Sequence, residues 1–338
     1  MRRVFFFVLL TFVSVLISNG WAQKHTIKFA TLAPEGSTWM VVMREYDKEL
    51  REKTNGEVGF KIYAGGVLGD EKDVLRRIRI GQIQSAGFTG VGMGEILPEV
   101  RILDTPFLFR NYEEVDHIYN KFYERFAEGF ESKNYVLLGW AEVGFVYMFA
   151  KKKAADLDEM RKLKMWVWEG DRVAEATFKA FGLQPIPLSV IDVMTALQTN
   201  MIEGVYTSPL GLVVLQWFTK VKFMINIPLA NAAGAVLVSK KKYDKLPDIH
   251  KNTLRELGRK YMSKLTQLSR DDNAKAIETL KKNNITFISV DNPQVLQSYY
   301  DVGKKARRSL VNKFYSESLL NQIENELNTL RSSNGSLK

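Results

Sequence analysis

The 338-residue chain contains no cysteine. That excludes a disulfide framework, a thiol nucleophile and a thiolate metal site, and with them a lipid anchor on an N-terminal cysteine. Histidine is scarce: His25, His117 and His250 stand far apart, without the spaced partners of a histidine metal site. The body of the chain lacks an apolar run of about 18 residues, the length that crosses a bilayer. It has no Walker-type loop, no Gly-x-Ser-x-Gly elbow and no His-Glu-x-x-His. Its 38 acidic residues show no spacing that singles out an acid/base couple. No catalytic residue, metal or cofactor is expected, and the chain does not read as an enzyme.

One glycine-rich stretch invites a nucleotide reading and fails it. "TGVGMGE" (89–95) has Gly90 and Gly92, but the third position of a dinucleotide fingerprint falls on Glu95. A flexible turn after a strand is expected there.

What is present begins with an export signal. Arg2 and Arg3 precede an almost wholly apolar stretch from Val4 to Ile17, and Gly20-Trp21-Ala22 supplies small residues at a cleavage site. Residues 1–22 read as a cleaved secretory signal, with an uncleaved anchor as the alternative, and the mature chain as periplasmic. The formal charge is +10. Export argues against nucleic acid as the partner of this basic chain. Clusters such as Lys151-Lys152-Lys153 and Lys240-Lys241-Lys242 suit a solvated surface or an acidic partner.

Strand and helix patterns alternate after the signal, which implies an α/β architecture. "TIKFATL" (26–32) and "EVGFKIYA" (57–64) read as strands. Between them Trp39, Val42, Met43, Tyr46 and Leu50 recur at helical spacing. Two strands meet near Glu142–Gly144, and the alternation then repeats over roughly 150–236 without a sequence repeat. After Pro247 there is no proline and one glycine as far as Lys282, with Leu254, Leu257, Tyr261, Leu265 and Leu268 on one stripe. One helix there is about 50 Å long, enough to cross two lobes; a broken pair of helices is the alternative. "RSSNGSLK" (331–338) reads as a frayed tail. An exported, two-lobed chain without catalytic motifs points to a binding protein with its ligand between the lobes.

At "DVMTALQTNMIEG" (192–204) the chain resembles the DctP-type substrate-binding proteins of TRAP (tripartite ATP-independent periplasmic) transporters. "IKFATLAPEGS", "EKTNGEVGFKIYAGGVLGDEKDVLRRIRIGQI", "TPFLFRNYEE", "RKLKMWV", "FGLQPIPL" and "LVSKKKYDKLP" agree in order over nearly the whole mature chain. The resemblance implies a two-lobed, type II-like periplasmic binding protein with hinge strands and a long helix spanning both lobes. It implies lobe I over 24–145 plus about 236–258, lobe II over 146–235 plus about 285–330, and the spanning helix at about 247–283. The implied partners are a small-molecule ligand and the membrane permease subunits of an ion-gradient-driven transporter. A subgroup with an apolar cleft, to which the chain is also similar, implies a tetratricopeptide-repeat periplasmic protein as a further partner. An exported sensor-input or interaction protein using the same cleft is the alternative.

The departures from the family pattern carry the ligand reading. In the family, a segment Lys-Ile/Leu-Arg-Val supplies an arginine that clamps the ligand carboxylate. In "LKMWVWEGD" (163–171) Trp166 holds that place. A second family arginine falls on Val146, and the family asparagine on Thr207 or Ser208. An indole offers one N–H and a wide apolar face, so it does not replace the planar double bond of a guanidinium. Trp166 and Trp168 share one face of a strand. Both are candidates for a cleft wall, with Trp39, Phe88, Trp140, Phe145, Tyr147, Tyr206 and Ser208 as further ligand contacts; packing in the core is the competing role for the tryptophans. The expected ligand is apolar or aromatic-bearing rather than a simple dicarboxylate. Glu142, Glu169 and Asp171 nearby also suit a cation cage, with Asp171 a natural helix N-cap.

Overall fold

The computed structural model describes residues 24–335. The expected signal at 1–22 lies outside them. Among the described residues no helix is long and apolar enough to cross a membrane.

Two main sheets organise the described chain. The first has five strands in the order β2-β1-β3-β10-β4: β1 (His25–Ala30), β2 (Val58–Tyr63), β3 (Ser85–Thr89), β4 (Tyr135–Trp140) and β10 (Gly234–Ser239). β1 runs parallel to β2 and β3, while β10 lies antiparallel to β3 and β4. The second sheet has the order β11-β9-β5-β8, from β5 (Gly144–Ala150), β8 (Gly204–Thr207), β9 (Phe223–Ala232) and β11 (Thr286–Ile288). A short parallel pair, β6 (Trp166–Trp168) and β7 (Ile186–Leu188), joins it through the bridge from Met165 to Gly204.

Helices cover the sheets because their apolar stripes face inward. In the helix Thr38–Lys53, Met40, Val42, Met43, Tyr46 and Leu50 are buried. That helix starts at Ser37, whose hydroxyl accepts from Met40 N–H. Two of the crossings between the sheets, β4 to β5 and β9 to β10, run side by side. Ala141 N–H donates to Gly234 C=O at 2.8 Å and Val143 N–H to Ala232 C=O at 3.0 Å, tying the two crossovers together.

A single unbroken helix, Asp248–Lys282, contains 35 residues. It packs on Thr38–Lys53 and β4 of the first lobe and on β5 and the helix Pro209–Val214 of the second. Gly258 permits its close approach to β4: an added Cβ there would lie 2.7 Å from Leu138 C=O. A shift of even a few tenths of an ångström in such a packed layer is costly.

Two expectations need correction. Residues 90–96 are not a flexible turn but a short helix, Gly90–Ile96, capped by the Thr89 hydroxyl. Its glycines are there for close packing: a Cβ at Gly94 would sit 2.6 Å from the Arg101 stem, and one at Gly90 would fall on the Asp104 carboxylate. The chain end is also ordered further than its composition suggests. A helix runs over Glu317–Gly335 and buries Leu319, Leu320, Ile323 and Leu327 in the aromatic core of the first lobe, not the second. Arg331, expected in a frayed tail, instead pairs with buried Glu114 at 2.8 and 2.7 Å. Neutralising that buried carboxylate anchors the helix end.

Candidate functional site

The helix Glu71–Arg79 begins with a capping box in which Asp70 and Asp73 satisfy each other's backbone N–H groups. The cap sits at the edge of the first lobe facing β6 and β7. Its second oxygen reaches across: Asp70 Oδ2 accepts from Trp168 Nε1 at 2.9 Å and from Ser189 Oγ at 2.6 Å. One carboxylate of the first lobe thus holds two side chains of the second.

Behind this contact stands an aromatic stack. Trp166 and Trp168 lie near-parallel with ring centres 6.4 Å apart, as their shared strand face requires. Tyr206 stacks on Trp166 at 5.1 Å, and Trp217 closes the far side edge-on at 5.4 Å. Trp166 is 2% exposed, and its indole N–H donates to Leu188 C=O at 3.0 Å. Trp168 is partly exposed and is the ring of the pair that meets the first lobe.

A second polar contact joins the lobes. Arg101, on the 3-10 turn Pro98–Asp104 of the first lobe, donates from Nη2 to Asp171 Oδ1 at 2.6 Å. Asp171 caps the helix Arg172–Ala180 of the second lobe, as the sequence suggested. Its other oxygen accepts from the Tyr206 hydroxyl at 2.8 Å. Asp104 Oδ2 lies 3.1 Å from Arg101 Nε, and its Oδ1 accepts from Ala233 N–H in the crossover at 2.7 Å. Burial pushes the Asp104 carboxyl up to about 7, against the opposing pull of Arg101.

Leu32, Leu68, Glu71, Val74 and Phe88 line one pocket of the first lobe. Glu71 is buried and accepts from Thr89 N–H at 2.7 Å and Gly92 N–H at 2.6 Å. A carboxylate of the chain itself occupies the start of the glycine-rich helix, the position where a phosphate binds in nucleotide folds. Burial raises Glu71 to about 7, with those hydrogen bonds pulling the other way.

The remaining candidates separate into groups. Phe88 lines the first-lobe pocket, and Trp39 packs edgewise over Gly87 beside it. Tyr147 packs against the cores of both lobes. Phe145 is buried and packs on Tyr112 with ring centres 4.7 Å apart. Ser208 is fully buried, and its hydroxyl caps Pro209–Val214 by accepting from Gly211 N–H. Trp140 does not join the aromatic stack: it packs edge-on against Tyr119 and Phe126 and lines a separate groove with Met262 and Arg270. Sequence reasoning did not find Asp70, Ser189, Arg101 or Asp104. The capping-box pattern Asp70-x-x-Asp73 was the available signal for the first of these.

The comparisons with known proteins agree with this architecture. A family model described as "DctP: Bacterial extracellular solute-binding protein, family 7" matches residues 29–313. A "Solute-binding protein" of Verminephrobacter eiseniae is 26% identical over 271 residues, covering 79% of this chain and 80% of the relative. The C4-dicarboxylate-binding periplasmic protein DctP of Rhodobacter capsulatus is 25% identical over 243 residues, covering 71% and 72%. A crystal structure of a TRAP periplasmic solute binding protein from Pseudomonas putida F1 with bound D-glucuronate superposes with a TM-score of 0.79 at 25% identity. It covers 88% of this chain and 96% of that one.

Proposed function

The chain belongs to the DctP family of bacterial extracellular solute-binding proteins, and from that premise we propose that it is a periplasmic receptor that closes its two lobes on a small organic ligand and delivers it to a TRAP permease. Its relatives are solute-binding proteins rather than enzymes. We propose further that the ligand is held by ring faces and neutral hydrogen bonds, not by a cation clamped on a carboxylate.

The observation that carries this reading is the composition of the contact between the lobes. Asp70 grips Trp168 and Ser189 over a stack of Trp168, Trp166 and Tyr206. Relatives whose names state a ligand bind acids, such as C4-dicarboxylates or D-glucuronate. In this chain Trp166 stands behind the wall and Trp168 and Tyr206 form its front. A ligand ring against that front gains about 1.5–3 kcal/mol, the value of burying a large apolar side chain.

The test is a thermal-shift screen of the purified mature protein against dicarboxylates, sugar acids, aromatic compounds and quaternary amines. The reading expects stabilisation by a ring-bearing or amine compound and none by succinate. Stabilisation by succinate or D-glucuronate alone overturns the ligand class, and no stabilisation by any class, with no co-purifying solute, overturns the receptor role.

A further inference from the structure

Among the described residues, Arg101 is the only lysine or arginine with a buried side chain, at 3% exposure. It lies where the two lobes meet, and it is already paired across them. Asp171 of the second lobe accepts its Nη2 at 2.6 Å, and Asp104 of its own lobe lies 3.1 Å from its Nε. One buried guanidinium therefore faces two buried carboxylates. Neither Arg101 Nε nor Asp104 Oδ2 has a hydrogen bond of acceptable geometry, so the Asp104 contact is a charge contact without a directed bond. Asp171, by contrast, is locked in: its Oδ1 also accepts from Ala174 N–H at 3.1 Å and its Oδ2 from the Tyr206 hydroxyl at 2.8 Å.

From this arrangement we infer that Asp171 is the specificity-determining residue of the cleft: it supplies the protein's own carboxylate to Arg101 and thereby excludes ligands that carry one. This rests on the receptor reading above and names the ligand class of the same site. Two carboxylates of the chain already crowd one cation. A third, arriving with a ligand, finds the cation already neutralised by Asp171 in a site of low dielectric, where like charges repel strongly. Burial is the first cause of the raised Asp104 carboxyl, and the Asp171 charge adds to it. Neutral and cationic ligands meet no such opposition.

Closure follows from the same pair. In a cleft whose cation waits for a ligand acid, the acid draws the lobes together. Here Arg101 and Asp171 draw them together unaided, across the gap between the 3-10 turn Pro98–Asp104 and the helix Arg172–Ala180. Lys72 is a further cation at this boundary: its Nζ approaches Gly170 of the second lobe. It is only partly buried, so water screens its charge.

The test is calorimetric titration of the full mature protein with D-glucuronate and with succinate, in wild type, D171N and D171S. Asn and Ser both keep an oxygen that can cap the helix and remove the charge. D171N or D171S is expected to bind one of the two acids at least about tenfold more tightly than wild type. The gain is expected to vanish in R101M/D171N. Tight binding of either acid by wild type overturns the inference, whether or not a variant folds. A folded D171N or D171S with no gain overturns it as well. Failure of the receptor reading looks different: wild type then holds no solute of any class.

Discussion

Trp168 donates its indole N–H to Asp70 Oδ2 at 2.9 Å, and the two residues stand 98 positions apart on opposite lobes. The same carboxylate caps the helix Glu71–Arg79 and accepts from Ser189. Lobe contact and helix start therefore depend on one side chain, and the two dependences can be separated by substitution.

Asp70→Ala removes the acceptor of both interlobe hydrogen bonds and the cap. Hydrogen bonds to a charged group contribute about 1.5–3 kcal/mol each, so losing the two is expected to lower ligand affinity by about 100-fold or more. Loss of the cap adds about 1 kcal/mol of lost stability. Titration calorimetry and a urea melt read the two effects. Asp70→Asn retains a capping oxygen and is expected to recover most of the stability and less of the affinity.

Trp166 and Trp168 are expected to respond differently. Trp166 lies in the second-lobe core with Phe149, Leu197, Leu212 and Trp217. Trp166→Ala should cost about 3–5 kcal/mol, the range for large aromatic deletions, and lower the melting temperature. Trp168→Phe keeps a ring and loses only the bond to Asp70. It should leave the urea midpoint almost unchanged and weaken ligand binding. Equal effects on both measurements would contradict the assignment of wall and backing.

The legible part of the sequence was the part set by local pattern. Alternating strands and helices, the apolar stripe from Leu254 to Leu268 and the Asp171 cap all follow from spacing within one element. The paired tryptophans were legible for the same reason, since strand geometry puts residues two apart on one face. What spacing does not show is which side of that face meets the other lobe. Trp166 was the expected wall because of its position in the family segment, yet Leu188 and Trp217 enclose it. Arg101 and Asp171 are 70 residues apart and belong to different lobes, so no local rule pairs them. The glycines of residues 90–94 were misread as a turn because their reason is tertiary: neighbours leave no room for a Cβ.

Two buried carboxyls set a pH dependence. Burial is the first cause for both Glu71 and Asp104, each pushed up to about 7. In the unfolded chain both titrate near the usual value of about 4. Between about pH 4 and about pH 7 the unfolded chain has released protons that the folded chain retains. Stability from these groups is therefore greatest at the acid end and declines as pH rises through that window. Glu49 and Glu57, held down to about 2 by hydrogen bonds led by Lys260 and Lys24, act in the opposite sense on the acid side. Both are solvent-exposed in their pairing and contribute little. The melting temperature is expected to be higher near about pH 5 than near about pH 8, and Asp104→Asn to flatten the profile. A rise towards alkaline pH contradicts this account.

The crossover between lobes has its own buried charge. Arg270 of the long helix donates to Glu142 at 2.6 Å and to Asp116 at 2.6 Å, and its guanidinium lies 4.3 Å from the centre of the Tyr112 ring. Glu142 is 1% exposed. Arg270→Met leaves that carboxylate unpaired and should cost about 3–5 kcal/mol. The double variant E142Q/R270M should recover more than half of the loss. Chemical denaturation of the three proteins checks this.

Native mass spectrometry of the protein purified from its own periplasm tests the central claim most directly, because it identifies the solute the cleft selects. The account predicts one bound molecule per chain that carries a ring or an amine and no free carboxylate. A stoichiometric sugar acid or dicarboxylate, retained by wild type and lost in Arg101→Met, would contradict it.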